Sequence, residues 1–216
     1  MAKQVKQAKQ RLRFDGWIAG AGTCTGTRIV LGHWPRSPFG AFSDVMVEHA
    51  DGTRLLLAPT DRTADFIAST YAFDRVRIEP VTVQRAGNDW SVISDSLSWH
   101  FTTGPLGLPG RLLRLVPPAL AARPAWIRCA DPPARMLGLR TCGSGRADRR
   151  EFYGIHELRP LATATGQWEG TSLGGLARVE PPVRFGFASV PRRPALIRVT
   201  TTVDLPAGRP TGKAAA

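Results

Sequence analysis

The stretch FSDVMVEHADGTRLLLA, residues 42–58, sets the fold class. Val45, Val47 and His49 alternate with Asp44, Met46 and Glu48, the period of two that sends successive side chains to opposite faces of a strand. Asp51-Gly52 separates this run from Arg54–Ala58. Asp-Gly between two such runs predicts a hairpin, because the tight turn needs residues that accept positive φ.

The same pattern recurs outward from this hairpin. Thr27–Trp34 places Ile29, Leu31 and His33 on one face, with Val30 and Trp34 on the other. Leu12 and Phe14 alternate with Arg11, Arg13 and Asp15, and the Gly/Thr stretch 20–26 suits a turn. Trp90–Ile93 and Leu97–Thr103 read as a second hairpin, with Leu97, Trp99 and Phe101 opposite Ser98, His100 and Thr102. Phe73–Val83 reads as a strand in which Pro80 marks a bulge, since the apolar phase shifts across it. Further strand-like runs cover 137–142, 151–158, 162–168, 183–190 and 195–203.

Two segments read differently. Thr60 can cap a short helix near 60–71, where Ala64, Ile67, Ala68 and Tyr71 form one apolar stripe. Residues 104–136 are rich in Gly, Pro, Leu, Ala and Arg and read as a helical segment interrupted by proline. The expected architecture is therefore mainly β: a large antiparallel sheet curled into a β-barrel or sandwich, with the proline-interrupted helices packed across one end or side. Residues 1–10 form a basic arm, 11–203 a single domain, and 204–216 a tail expected to be disordered.

Composition bounds the partners. With 216 residues, 43% of them hydrophobic, the chain can bury one sizeable core. No apolar run is long enough to span a bilayer, and the basic N-terminus lacks the apolar stretch of a secretory signal. Cys24, Cys129 and Cys142 are odd in number and widely spaced, as reduced thiols are, so a soluble cytoplasmic protein is expected.

The net charge of +12 points to a polyanion such as nucleic acid. However, 25 of the 29 basic residues are Arg, and scarce Lys and Asn beside abundant Arg, Ala, Gly and Pro is what a GC-rich genome imposes. The charge is also polarised. Residues 14–103 carry seven Arg against ten acids, and residues 104–203 carry fifteen Arg against six. Mutual attraction of the two halves accounts for this as well as a polyanion does.

Specific chemistry is mostly excluded. His156-Glu157 lacks the second His of a zinc-protease helix, and the glycines at 20, 22 and 26 have the wrong spacing for a dinucleotide loop. No Lys lies between residues 10 and 212, which removes Schiff-base catalysis from the domain. No metal site or cofactor is expected.

The remaining signals are single residues. Pro35-Arg36-Ser37-Pro38 and Pro191-Arg192-Arg193-Pro194 each sit between two strand-like runs and read as stiff connections that hold arginines outward. If both stand at one rim, Arg36, Arg192 and Arg193 would attract an anionic group, with Trp34, His100, Tyr153 and His156 lining the same pocket. This makes a barrel that binds a small, partly apolar anion the first reading, and no catalysis is needed for it. Polyanion binding through the basic half is the second. An enzyme that gathers His33, Asp44 and arginines is the third. Oligomeric state is not legible.

Overall fold

The computed structural model describes residues 10–136, 141–144, 149–186 and 190–205. Strands β1 (Arg11–Thr23), β2 (Arg28–Arg36), β3 (Phe42–Glu48) and β4 (Arg54–Ala58) form an antiparallel meander. The Asp-Gly hairpin between β3 and β4 is present. Gly52 has φ 88°, and the Asp51 carboxylate accepts from the Thr53 backbone N–H at 2.8 Å.

The turn expected within 20–26 is present: β1 runs on to Thr23, and the Gly26 N–H, at a φ of 82°, donates to the Thr23 carbonyl at 2.9 Å. Gly20 and Gly22 stay in the strand and serve close approach: a Cβ at Gly20 would meet Val190 at 2.1 Å, and one at Gly22 would meet the Arg178 carbonyl at 2.0 Å.

Helix α1 (Asp61–Ala68) begins at Thr60, whose hydroxyl accepts from the Thr63 N–H. It carries the chain back so that β5 (Arg75–Ile78) joins β4 in parallel, which makes the sheet mixed rather than wholly antiparallel. Pro80 is not a bulge inside one strand. β5 ends at Ile78, and β6 (Thr82–Ala86) starts a separate antiparallel unit with β7 (Asp89–Ile93) and β8 (Leu97–Thr103).

The long β10 (Arg150–Trp168) and β13 (Ala195–Asp204) complete the path β5-β4-β3-β2-β1-β13-β10-β8-β7-β6. Its two ends, β5 and β6, are joined by only Glu79-Pro80-Val81, so the sheet has to curl back on itself; it turns through 233° into a half-barrel. Glu79 is buried at this seam and accepts from the backbone N–H and the hydroxyl of Ser96, each at 2.7 Å.

Short strands β9 (Cys142–Ser144) and β11 (Thr171–Ser172) pair with β10, and β12 (Leu176–Ala177) pairs with β1. The segment 183–186, read as part of a strand from sequence, is irregular. Pro181 and Pro182 lack the N–H groups a ladder needs there, and Arg184 is held by Glu48 instead. The second proline-bracketed turn therefore leads into β13 from a loop. Residues 1–9, 137–140, 145–148, 187–189 and 206–216, which include most of the expected arm and tail, lie outside the described residues.

Both faces of the sheet are buried. Inside the curl, Ile29, Leu31, Val45, Val47, Leu55 and Leu57 meet Trp90, Val92, Leu97, Trp99 and Phe101 from the far strands. The other face carries Phe14, Trp34, Tyr153, Ile155 and Val199, and it is covered in part by α1 through Phe66.

The helical segment comprises α2 (Leu108–Arg114), α3 (Pro118–Ala121) and α4 (Pro124–Met136). It fills a specific gap. β10 pairs with β9 as far as Phe152 and with β8 only from Leu161, so one edge is open in between. α2 and α3 lie along that opening, with glycines at the contact: a Cβ at Gly110 would meet the Leu158 carbonyl at 2.3 Å, and one at Gly154 the Ala121 carbonyl at 2.5 Å.

Gly110 gives a decisive test of this packing. Alanine there would favour an isolated helix by about 1 kcal/mol, but the new methyl has to displace a strand backbone, an overpacking loss of about 1–3 kcal/mol. Gly110→Ala is expected to lower the midpoint of thermal unfolding followed by circular dichroism. A rise would show that α2 does not rest on β10.

Candidate functional site

Two bulges lie side by side on the sheet. In β1 the register slips between Asp15 and Trp17, leaving Gly16 opposite Trp34 and Pro35. A Cβ on Gly16 would sit 2.0 Å from the His33 carbonyl, and Pro35 has no N–H for the ladder. In β10 the register slips between Ile155 and Glu157, so His156 is the extra residue opposite Val199 and Arg198. Bulges re-aim side chains, and here they border an open cleft of ≈ 570 Å³ lined by Arg13, Asp15, Arg36, His156, Arg198 and Thr200, with Trp17 in its wall.

The polar groups of the cleft form a chain. The Thr200 hydroxyl donates to Asp15 at 2.6 Å and lies 2.9 Å from His156 Nε2. Because its one hydrogen goes to the carboxylate, His156 has to donate through Nε2–H, which fixes the tautomer. Its buried Nδ1 then has no partner among the described residues. Burial lowers the His156 pKa, and the Arg198 charge adds to this, so the ring is neutral near pH 7. Burial works to raise Asp15, but hydrogen bonds from Arg13 and Thr200, with the charges of Arg13 and Arg36, hold it below the usual carboxylate range. Three arginines thus face one carboxylate. Arg13 is paired with Asp15, whereas Arg36 and Arg198 make no side-chain hydrogen bond or ion pair among the described residues.

A second, smaller space lies on the opposite face, between β1, β2, β3, β10, β13 and the end of α1. Its volume is ≈ 70 Å³, and its walls include Phe14, Trp34, Phe42 and Phe66. Asp44 is buried there, accepting from Trp34 Nε1 at 3.0 Å. Burial without a cationic partner raises its pKa to about 7, against the pull of the Trp34 bond. Glu151, also buried, accepts from Tyr71 at 2.9 Å and from Tyr153 at 2.8 Å. Burial raises it to about 7 as well, opposed by the two tyrosine bonds and the Arg149 charge.

The expected site residues separate as follows. Trp34, Asp44 and Tyr153 meet in the smaller cavity, while Arg36 and His156 meet in the cleft. His33 and Asp44, adjacent in the hairpin pairing, point to opposite faces. His33 stacks on Trp17 with ring centres 5.7 Å apart and bonds Ser43 at 2.8 Å. His100 is exposed on the outer face of β8, bonded to Ser98 at 3.2 Å. Arg192 pairs with Glu180, and Arg193 is exposed beside it.

Arg36 lies level with Asp15 on β1. The second turn runs into Ala195, which pairs with Gly20 on the same strand. Five residues at about 3.3 Å each put the two turns roughly 17 Å apart along the strand. They do not share a rim.

Arg13, Asp15, Arg198 and Thr200 were not singled out from sequence. They read as the polar side of ordinary alternating strands, and nothing local marks His156 as bulged or Gly16 as the residue that faces a bulge. Arginines of the basic half also pair with acids: Arg184 reaches Glu48, which Arg28 holds at 2.8 Å, and Arg159 pairs with Glu157. Among the described residues no group of His, Cys, Asp or Glu is placed to hold a metal ion. No helix there is long and apolar enough to cross a membrane.

No protein-family model and no curated protein matches the chain. Among solved structures, it is similar to an acetoacetate decarboxylase at 9% identity over 93% of this chain and 89% of that one, with a TM-score of 0.47. It is also similar to acetoacetate decarboxylase from Legionella pneumophila at 9% identity over 95% and 89%, with a TM-score of 0.40.

Asp44 makes stability depend on pH. Its folded pKa of about 7 lies above the unfolded value, so the native state keeps a proton that the unfolded chain releases. Stability is lost as pH rises from the unfolded pKa to the folded one. Asp44→Asn still accepts from Trp34 and removes that loss. Urea denaturation should show its stability relative to wild type rising by about 2–3 kcal/mol between pH 5 and pH 8. A flat difference would mean that Asp44 titrates as an ordinary carboxylate.

Proposed function

We propose that this chain binds a small, partly apolar anion in the cleft at the paired bulges. The observation that carries this reading is the excess of guanidinium over carboxylate there: among the described residues Arg36 and Arg198 have no ion-pair partners beside the Arg13–Asp15 pair. Arginine presents paired N–H donors that match a carboxylate or phosphate. Trp17, Pro35, Pro118 and Ala119 supply an apolar wall for the remainder of such a molecule. His156 stays neutral with its Nε2–H tied to Thr200, so it shapes the cleft without adding charge.

The test uses benzoate and phenyl phosphate as probes in isothermal titration calorimetry at low ionic strength. Arg36→Ala and Arg198→Ala are each expected to weaken binding about tenfold, the equivalent of losing one charge-assisted hydrogen bond. Arg193→Ala, at the other end of the sheet, should leave it unchanged. Absence of saturable binding of both probes by the wild-type protein, or an equal effect of Arg193→Ala, would overturn the proposal.

A further inference from the structure

The smaller cavity on the opposite face has a chemistry of its own, independent of the anion cleft. Tyr71 Oη, Tyr153 Oη and Glu151 Oε2 form a triangle, with contacts of 2.9, 2.8 and 2.8 Å. Three such contacts need three hydrogens. The tyrosines supply two, so the triangle is satisfied when Glu151 keeps its carboxyl proton. Otherwise two oxygens would face each other at hydrogen-bond distance with only lone pairs between them. Glu151 and Tyr153 are buried and Tyr71 is half-buried, and the raised pKa of Glu151 agrees with the count.

Asp44 lines the same cavity and is close enough for its charge to act on Tyr71. Only its Oδ1 is engaged, by Trp34; Oδ2 has no hydrogen bond among the described residues, although the side chain is almost wholly buried. Its placement is built into the backbone. A Cβ at Gly32 would lie 2.5 Å from Asp44 Oδ1 and 2.6 Å from Trp34 Nε1, so only glycine leaves room for that bond. Asp44 is therefore a base without a cation, set in an aromatic wall, facing a ring of neutral O–H donors. The ≈ 70 Å³ volume holds several waters or one molecule of a few heavy atoms.

We infer that this cavity is a proton-transfer site for a small carbonyl compound, with Asp44 as the base and the Tyr71–Tyr153–Glu151 triangle as the donor to the carbonyl oxygen. The C–H bond adjacent to the carbonyl breaks and its proton passes to Asp44. The C–H electron pair becomes the new carbon–carbon π bond, and the carbonyl π pair moves onto oxygen. One O–H of the triangle swings from its neighbour to that oxygen as negative charge develops. A neutral ring bond is thereby exchanged for a charge-assisted one only in the transition state, the difference in binding that speeds a reaction. The proton then returns to carbon, so no oxidant, reductant or second substrate enters.

The direct test is exchange of the α-hydrogens of 2-butanone and cyclopentanone in D₂O, followed by proton NMR with the full-length protein. The wild-type protein is expected to accelerate loss of at least one α-proton signal above buffer. Asp44→Asn should remove about a hundredfold or more of that acceleration, and Tyr71→Phe about tenfold, with Arg193→Ala unchanged. The tyrosine variant carries the test if Asp44→Asn does not fold. No acceleration by folded wild-type protein, or full acceleration retained in either folded cavity variant, would overturn the inference. Neither result touches the anion cleft, whose calorimetric test uses different site residues and probes.

Discussion

The change of partner along β10 is the constraint on which the rest of this structure depends. Its first half, to Pro160, pairs with β13; its second half, from Leu161, pairs with β8. Pro160 sits at the switch, where its missing N–H leaves no ladder bond unmade. Its carbonyl turns to Gly104, at the start of the helical insertion. One strand thus belongs to both walls of the half-barrel, which brings Trp90, Trp99 and Phe101 over Leu31 and Val45 and buries the inner face. The same switch opens the edge of β10 that α2 and α3 fill.

Because the sheet curls, both of its faces are enclosed, and the usual rule that the polar side of an antiparallel strand meets water fails here. Asp44 and Glu48 share such a side on β3. Glu48 is neutralised in place by Arg28, within the first half of the chain, and by Arg184, from the second. Among the described residues Asp44 has no ion-pair partner, and it remains an acid of raised pKa in an apolar wall. Two carboxylates four residues apart thus acquire different states, one ion-paired and one without a counter-charge, from what covers them. The separation of the two candidate sites has the same origin: consecutive residues of β1 supply Phe14 to the cavity and Asp15 to the cleft.

Much of the fold was legible in local chemistry. The Asp51-Gly52 turn, the alternation at 42–48 and 97–103, the Thr60 cap and the proline-broken helices at 104–136 are short-range signals, and each appears where its residues place it. The errors fell where long-range pairing decides. Pro80 read as a bulge because nothing local tells a kinked strand from a link between opposite sheet edges. Residues 183–186 read as part of a strand because their apolar spacing is right, but the Arg184 N–H is taken by the distant Glu48 carboxylate. The Gly/Thr stretch 20–26 does hold the expected turn, but only at its end; Gly20 and Gly22 keep extended backbone so that other segments can approach.

The candidate sites were less legible, for a physical reason. Sequence determined the inventory: no lysine within the domain, an excess of arginine, four histidines and the alternation that sorts side chains into two faces. It therefore excluded whole chemistries and named Trp34, Arg36, Asp44, Tyr153 and His156 as residues of interest. Only the tertiary structure decided which of them meet. Register slips of one residue at Gly16 and His156 bring Arg36 and His156 to one cleft, and the cover of α1 closes Asp44 in with Glu151, which lies more than a hundred residues away in the chain. Register and cover are set by the sum of contacts over the whole sheet, and no local window of sequence contains that sum.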